Sequence, residues 1–289
     1  MSLSGRAGDL ASHPEVYTIG RISTEFFLRG FEVIGQAHDD ILGGMILMTM
    51  LAEALGNAGP SGAIGIRELA RRLDIPFETV RRQVHKLVRS RVCRAEDGGI
   101  CLAPSFRRSA RTNAMLRKIR LEAVRMLDGL RRIRIGHYKP PRSSATSRTL
   151  SKEQAVFVAA SIRLLLSALK ALRGFFKGDL MSGLVFTAIR AANTKHITNT
   201  VPGANKDLLS DSDRRPVSMM AISNSMRLPY ETVRRHAAKL MRHGMCRRAG
   251  RDGLIVPTAT LRGMTFEAGT VVELVFDFMQ ELRTSGVKV

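Results

Sequence analysis

The sequence predicts a mainly α protein with small β-hairpins, in which one helix, short helix, turn, helix, hairpin unit occurs twice within a frame of long helices. Three observations predict it. PFETVRRQVHKLVRSRVCR, from Pro76 to Arg94, recurs without a gap as PYETVRRHAAKLMRHGMCR, from Pro229 to Arg247. Apolar residues inside the run fall at helical spacing, and each copy runs into a glycine turn flanked by short apolar stretches. An internal repeat of this kind sets the architecture before any element is placed.

The similarity extends outward from the shared run. IRELARRLDI (66–75) precedes the first copy and MMAISNSMRL (219–228) the second, with Leu69 matching Ile222, Leu73 matching Met226 and Ile75 matching Leu228. Further upstream, DILGGMILMTMLAEAL from Asp40 parallels DLMSGLVFTAIRAAN from Asp179. Downstream, AEDGGICL matches AGRDGLIV, with turns at Gly98-Gly99 and Asp252-Gly253. Pro-Pro and dense Ser/Thr in 136–150 break the helical pattern and mark a linker. The expected organisation is a flexible N-terminus (1–15), a first module with its flanking helices (16–135), the linker, and a second module (151–289).

Within each copy the third helix carries an inward stripe: Val80, Val84, Leu87 and Val88, then Val233, Ala237, Leu240 and Met241. Pro76 and Pro229 stand where the helix starts, where a missing N–H costs least. Glu78 and Glu231 fall in the first turn, favourable to the helix dipole. Cys93 and Cys246 enter the hairpin as small apolar residues. Helical segments 18–37 and 152–173 precede the modules, and 105–135 and 264–284 follow them. In 105–135, Leu116, Ile119, Ala123, Met126 or Leu127, Leu130 and Ile133 form a seam at three- and four-residue steps. Arg117, Lys118, Arg120, Arg125, Arg131, Arg132 and Arg134 lie opposite it. The seam can join the two halves as a monomeric pseudo-dimer or pair two chains as a homodimer.

Composition narrows the partner. Forty-six Lys and Arg against 25 Asp and Glu leave a formal charge of +21, which calls for an anionic partner. Only 5% of residues are aromatic and Trp is absent. Single-strand binders stack bases on aromatic side chains, so the scarcity favours duplex DNA. Three cysteines without a CxxC pair form neither a disulfide framework nor an ordinary zinc site, and a reducing cytoplasm fits. No signal peptide opens the chain. The apolar stretch Ile41–Leu55 is too short to span a membrane, so no membrane is expected.

With the stripe turned inward, the opposite face presents Thr79, Arg81, Arg82, Gln83, Lys86 and Arg89 in the first copy. The second presents Thr232, Arg234, Arg235, His236, Lys239 and Arg242. Arg can fork onto guanine O6 and N7, and Thr and Gln can reach base edges or phosphates. The hairpins add Arg91 and Arg94, then Arg247, Arg248 and Arg251, suited to phosphate or minor-groove contact.

VRRQVHKLVRSRVCRAEDGGICL, preceded by IRELARRLDIPFET, resembles the winged helix-turn-helix regulators of bacteria, especially those of the GntR, MarR and IclR type. Thr79-Val80-Arg81 and Thr232-Val233-Arg234 match their Thr-Val-Arg element. The resemblance implies two winged modules and a base- or phosphate-contacting role for those Thr and Arg residues. It implies a sequence-specific transcriptional regulator, with a glycine-bearing wing in each module. The separate ligand-sensing domain usual in those families has no counterpart here. Two winged helices in one chain also resemble plasmid- or phage-type replication initiators, and a nucleoid-associated duplex binder stays open beside them.

Neither enzymatic nor cofactor chemistry is expected, since no phosphate-cradling Gly loop and no nucleophile–base pair is visible. His196, His236 and His243 lack Cys or carboxylate partners at ligand spacing, so no metal is expected. The Met-rich run GMILMTM reads as core. The stretch 195–216 replaces the shorter loop NAGPSGAIG of the first half, as a regulatory insert or as drift. The halves also differ in that Gln83 stands against His236, and Arg67 and Glu68 against Met220 and Ala221.

Overall fold

The computed structural model describes residues 10–38, 40–56, 63–138, 150–197, 208–251 and 253–289. Most of the expected linker, part of the 195–216 loop and Asp252 of the second turn lie outside the described residues, as does the N-terminus to residue 9. The chain is mainly helical with two small antiparallel sheets. In order it forms α1 (Val16–Ala37), α2 (Ile41–Gly56), α3 (Ile66–Leu73), α4 (Phe77–Arg89), β1 (Cys93–Glu96), β2 (Gly99–Leu102), α5 (Pro104–Arg107) and α6 (Ala110–Arg132). Then come α7 (Lys152–Phe175), α8 (Leu180–Thr194), β3 (Val217–Ser218), α9 (Met219–Met226), α10 (Tyr230–Arg242), β4 (Arg247–Ala249), β5 (Gly253–Ile255), α11 (Thr258–Arg262) and α12 (Thr265–Thr284).

Two compact units result, and they are not the two sequence halves. One, the α10 unit, is drawn from Met1–Leu28, Arg125–Tyr138 and Ala171–Asp277. The other, the α4 unit, is drawn from Arg29–Val124, Lys139–Lys170 and Phe278–Val289. Each of α1, α6, α7 and α12 is therefore divided between the units. A repeat read along the sequence cannot show this, because helical periodicity reports which face is buried and not what it is buried against.

In the α4 unit, α2 packs on α3, α4 and β2. Met45, Ile46, Leu47, Met48, Met50 and Leu51 of α2 are buried, so the Met-rich run is core. Val80, Val84 and Leu87 of α4 are at most 1% exposed, each stabilising the fold by roughly 1.5–3 kcal/mol. Cys93 of β1 lies 3.7 Å from the sulfur of Met50. The hairpin pairs Cys93 with Leu102 and Arg94 with Cys101, and an antiparallel bridge joins Ile64 to Ile100. Along α1, a Cβ on Gly30 would stand 2.7 Å from the Leu165 methyls of α7, so any larger residue there would require the Leu165 side chain to move.

The α10 unit repeats this order. Its α8 packs on α9, α10, β3 and β5. Val217 pairs with Leu254, and Arg247 with Ile255, giving the strand order β3-β5-β4. The bridge at Ile64 thus corresponds to β3. Asn193, fully buried, ties α8 to the sheet: its Nδ2 donates to the carbonyls of Arg215 (2.8 Å) and Leu254 (2.9 Å), and its Oδ1 accepts from Val256 N–H (2.9 Å). His13, inside the segment expected to be flexible, meets Phe276 edge to face at 5.6 Å.

The seam of α6 is buried throughout, from Leu116 to Leu130, and Ile133 is buried just beyond the helix. The expected segment 152–173 forms α7, which is long and apolar enough to cross a membrane by length and composition, a property its sequence reading did not weigh, and half of its apolar window is buried in the protein. Arg163 interrupts the apolar run there, and its Nε donates to Glu281 Oε1 of α12 at 2.7 Å.

Candidate nucleic-acid interface

The site is built on α4 and α10. Each follows a short helix that ends in a non-glycine residue with left-handed backbone: Asp74 (φ 55°) after α3 and Arg227 (φ 54°) after α9. Pro76 and Pro229 cap the next helix in extended conformation (φ −52° and −54°). The matched turns give the two helices the same entry.

On α4 the exposed side is cationic. Thr79, Arg82, Lys86 and Arg89 face solvent, and Arg81 is partly exposed. Arg81 forks onto Glu78, with Nε at 2.8 Å from Oε2 and Nη2 at 2.7 Å from Oε1. Those hydrogen bonds bring the Glu78 carboxyl down to about 2. The second copy repeats the fork, Arg234 Nε to Glu231 Oε2 at 2.7 Å and Nη2 to Oε1 at 2.6 Å. In both copies the first-turn glutamate, expected to serve the helix dipole, also holds the arginine in a fixed geometry. Spacing of i and i+3 made this pair readable in advance.

Two residues expected on the open face are not there. Gln83 is 4% exposed and belongs to the inward side of α4, while Val88, expected inward, is half-buried. A Cβ on Gly43 of α2 would stand 2.6 Å from Gln83 Nε2 and 2.5 Å from His38 Nδ1, so the amide occupies space that this glycine leaves. Nε2 is buried without a hydrogen-bond partner. The correction has a geometric cause. Four residues beyond Thr79 the helix has turned past a full circle, and Gln83 lies beside Val80 and Leu87, against α2.

His236 takes the matching place in α10, with a side chain only 12% exposed. Where the first copy has Gly43, the second has Ser182, and Ser182 Oγ lies 2.9 Å from His236 Nδ1. Ser182 Oγ also donates to Asp179 Oδ2 at 2.7 Å, and Lys239 Nζ donates to the same oxygen at 2.6 Å. Burial opposes the charge on Asp179, but Lys239 and the Ser182 N–H and hydroxyl outweigh it and bring the carboxyl to about 2. Burial lowers the His236 imidazole, with Asp179 pulling the other way. Asp179 and Ser182 were not anticipated, because they come from a helix far away in sequence.

The rest of the second face is open. Arg235 and Arg242 are exposed, and Thr232 is half-buried. In the hairpins, Arg94 pairs with Glu96 and donates to Cys101 Sγ at 3.3 Å. Arg247 donates to Asp211 Oδ2 at 2.8 Å, whereas Arg248 and Arg251 are exposed. Phe77 and Tyr230, matched at the first position of each helix, are 43% and 40% exposed and were not singled out.

The three cysteines are buried and free. Burial pushes Cys93 up to about 12, with Cys101 adding to it, and Cys246 up to about 11. Among the described residues no three His, Cys, Asp or Glu side chains gather as a metal would require. No protein-family model, no curated protein and no solved structure matches this chain.

Proposed function

We propose that this chain binds double-stranded DNA through α4 and α10 and acts as a sequence-specific transcriptional regulator. The observation that carries the reading is the sidedness of α4. Val80, Val84 and Leu87 are buried while Thr79, Arg82, Lys86 and Arg89 are exposed on a chain of charge +21. A helix laid in the major groove requires such a face. The order helix, bridge or short strand, helix, turn, helix, hairpin, present in both units, supports reading each as a winged helix-turn-helix. Arg94, Arg247, Arg248 and Arg251 then serve as wing contacts to phosphate or minor groove. The reading includes no catalysis, no cofactor and no membrane, in a cytoplasmic setting.

The two modules differ in weight. Lys239 and His236 are engaged by Asp179 and Ser182, whereas Lys86 is open to solvent. We therefore assign the principal reading role to α4 and a supporting role to α10. In-vitro selection of bound duplexes with the purified protein tests this. A selected site with one strong and one weak half is expected. Replacing Arg82 and Arg89 by Ala should relax the strong half, and replacing Arg235 and Arg242 the weak one. Even occupancy along random duplexes would instead favour a nucleoid-associated binder, and recovery of tandem repeats a replication initiator.

A further inference from the structure

The two helices of the candidate interface open on the same kind of residue. Phe77 is the first residue of α4 and Tyr230 the first of α10, each directly after the proline that caps the helix. Both stay open to solvent, 43% and 40% exposed. The chain has 12 Phe, 3 Tyr and no Trp, and among the described residues only one more of them, Phe266, is exposed. Two of the three exposed rings therefore fall on one position of the repeat.

This match is not that of a surface carried over unchanged between the copies. Exposed positions of the preceding helices have diverged: Arg67 and Arg71 of α3 stand against Met220 and Asn224 of α9. Nor does folding account for it. The inward stripe stays apolar in both copies because it is buried, but about two-fifths of Phe77 and of Tyr230 lies in water, and that part adds nothing to the fold.

Backbone geometry sends both rings the same way. Pro76 and Pro229 have φ −52° and −54° and ψ 134°, and neither helix start carries a side-chain cap. Side chains on a helix lean towards its N-terminus. A ring at the first position thus reaches beyond the helix start, ahead of Thr79 in α4 and Thr232 in α10. In a helix laid in the major groove, the N-terminal residues are those that meet base edges. Most features there are hydrogen-bonding groups, and the one that an apolar ring complements is the C5-methyl group of thymine. Arg82 and Arg235, exposed further along the same helices, supply the attraction to an anionic duplex that a ring lacks.

We propose that Phe77 and Tyr230 each read a thymine by packing the ring on its C5-methyl group, an inference that rests on the duplex-DNA reading of α4 and α10. The test uses the duplex recovered by in-vitro selection with the full chain, beside copies in which uracil replaces one thymine at a time. Uracil pairs as thymine does and lacks only the methyl. One thymine in each half should be sensitive, its replacement weakening binding about fourfold, the worth of one buried methyl group. Phe77→Ala should bind the thymine and uracil forms of its half alike, and Phe77→Tyr should keep the difference. Tyr230→Ala should abolish it in the other half only. A selected duplex indifferent to uracil at every position would overturn the proposal and leave the DNA reading standing. So would Ala variants that discriminate uracil as the native chain does, which would leave the rings to a protein partner. If no duplex is preferred in the selection, the sequence-specific reading fails and this proposal with it. Should Phe77→Ala not fold, Phe77→Gln decides by the same readout.

Discussion

Lys239 Nζ donates to Asp179 Oδ2 at 2.6 Å, tying the middle of α10 to the residue that caps α8. Lys86, the same residue of the repeat in the other unit, is open to solvent. One sequence signal thus yields a free cation in one copy and an engaged one in the other.

Releasing that cation is the most direct test of the asymmetry. Asn keeps the capping oxygen that accepts from Ser182 N–H at 3.0 Å, so Asp179→Asn should fold. Lys239 would then be available to phosphate. Duplex affinity should rise severalfold, and the slope of log K against log salt should steepen by about one. Fluorescence anisotropy over a salt series measures both, and an unchanged slope would count against α10 as a contact.

The same cluster sets an acid limit on stability. Asp179 titrates at about 2 against an ordinary value of 3.8, so its stabilising contribution is present above that ordinary value and is lost as pH falls towards 2. His236 is lowered from 6.5, so the unfolded chain takes up its proton first and stability also declines as pH falls below 6.5. Urea midpoints should therefore drop in two stages on acidification. His236→Gln should remove the upper stage and leave the lower one.

Gln83 separates a buried role from a reading role. Its Nε2 is buried without a partner, so Gln83→Met removes an unsatisfied donor at nearly constant volume. Stability should stay level or rise by about 1 kcal/mol. Affinity for a selected duplex should not change. A drop of tenfold or more in affinity, with the fold intact, would return Gln83 to the groove.

The repeat also supplies its own control for backbone strain. Arg91 adopts φ 58° where the second copy has Gly244 at φ 68°. A left-handed non-glycine residue is strained by roughly 1–2 kcal/mol, partly offset by glycine's greater freedom in the unfolded chain. Arg91→Gly should raise the denaturant midpoint and Gly244→Arg should lower it. Shifts of the same sign in both would show that side-chain contacts, not backbone conformation, decide.

Much of the fold was readable from the chain alone. Val80, Val84 and Leu87 announced the inward face of α4, and the glycine turns announced the hairpins. The seam of α6 was readable for the same reason: burial on one side of a helix imprints its period on the sequence. The exposed cations of the candidate interface followed by subtraction. Gln83 escaped this logic because a small neighbour, Gly43, made room for an amide on the apolar side. His236 escaped it because Ser182 offered the imidazole a partner there.

By itself the sequence determined that two copies of one unit exist, which helices carry them, and that their outer faces are basic. These are local properties, written in periodicity and in side-chain chemistry. The tertiary structure decided how α1, α6, α7 and α12 are divided between the units, and that Asp179 engages Lys239. Each of those outcomes joins residues from separate stretches of chain, and what meets across such distances is settled only when helices pack.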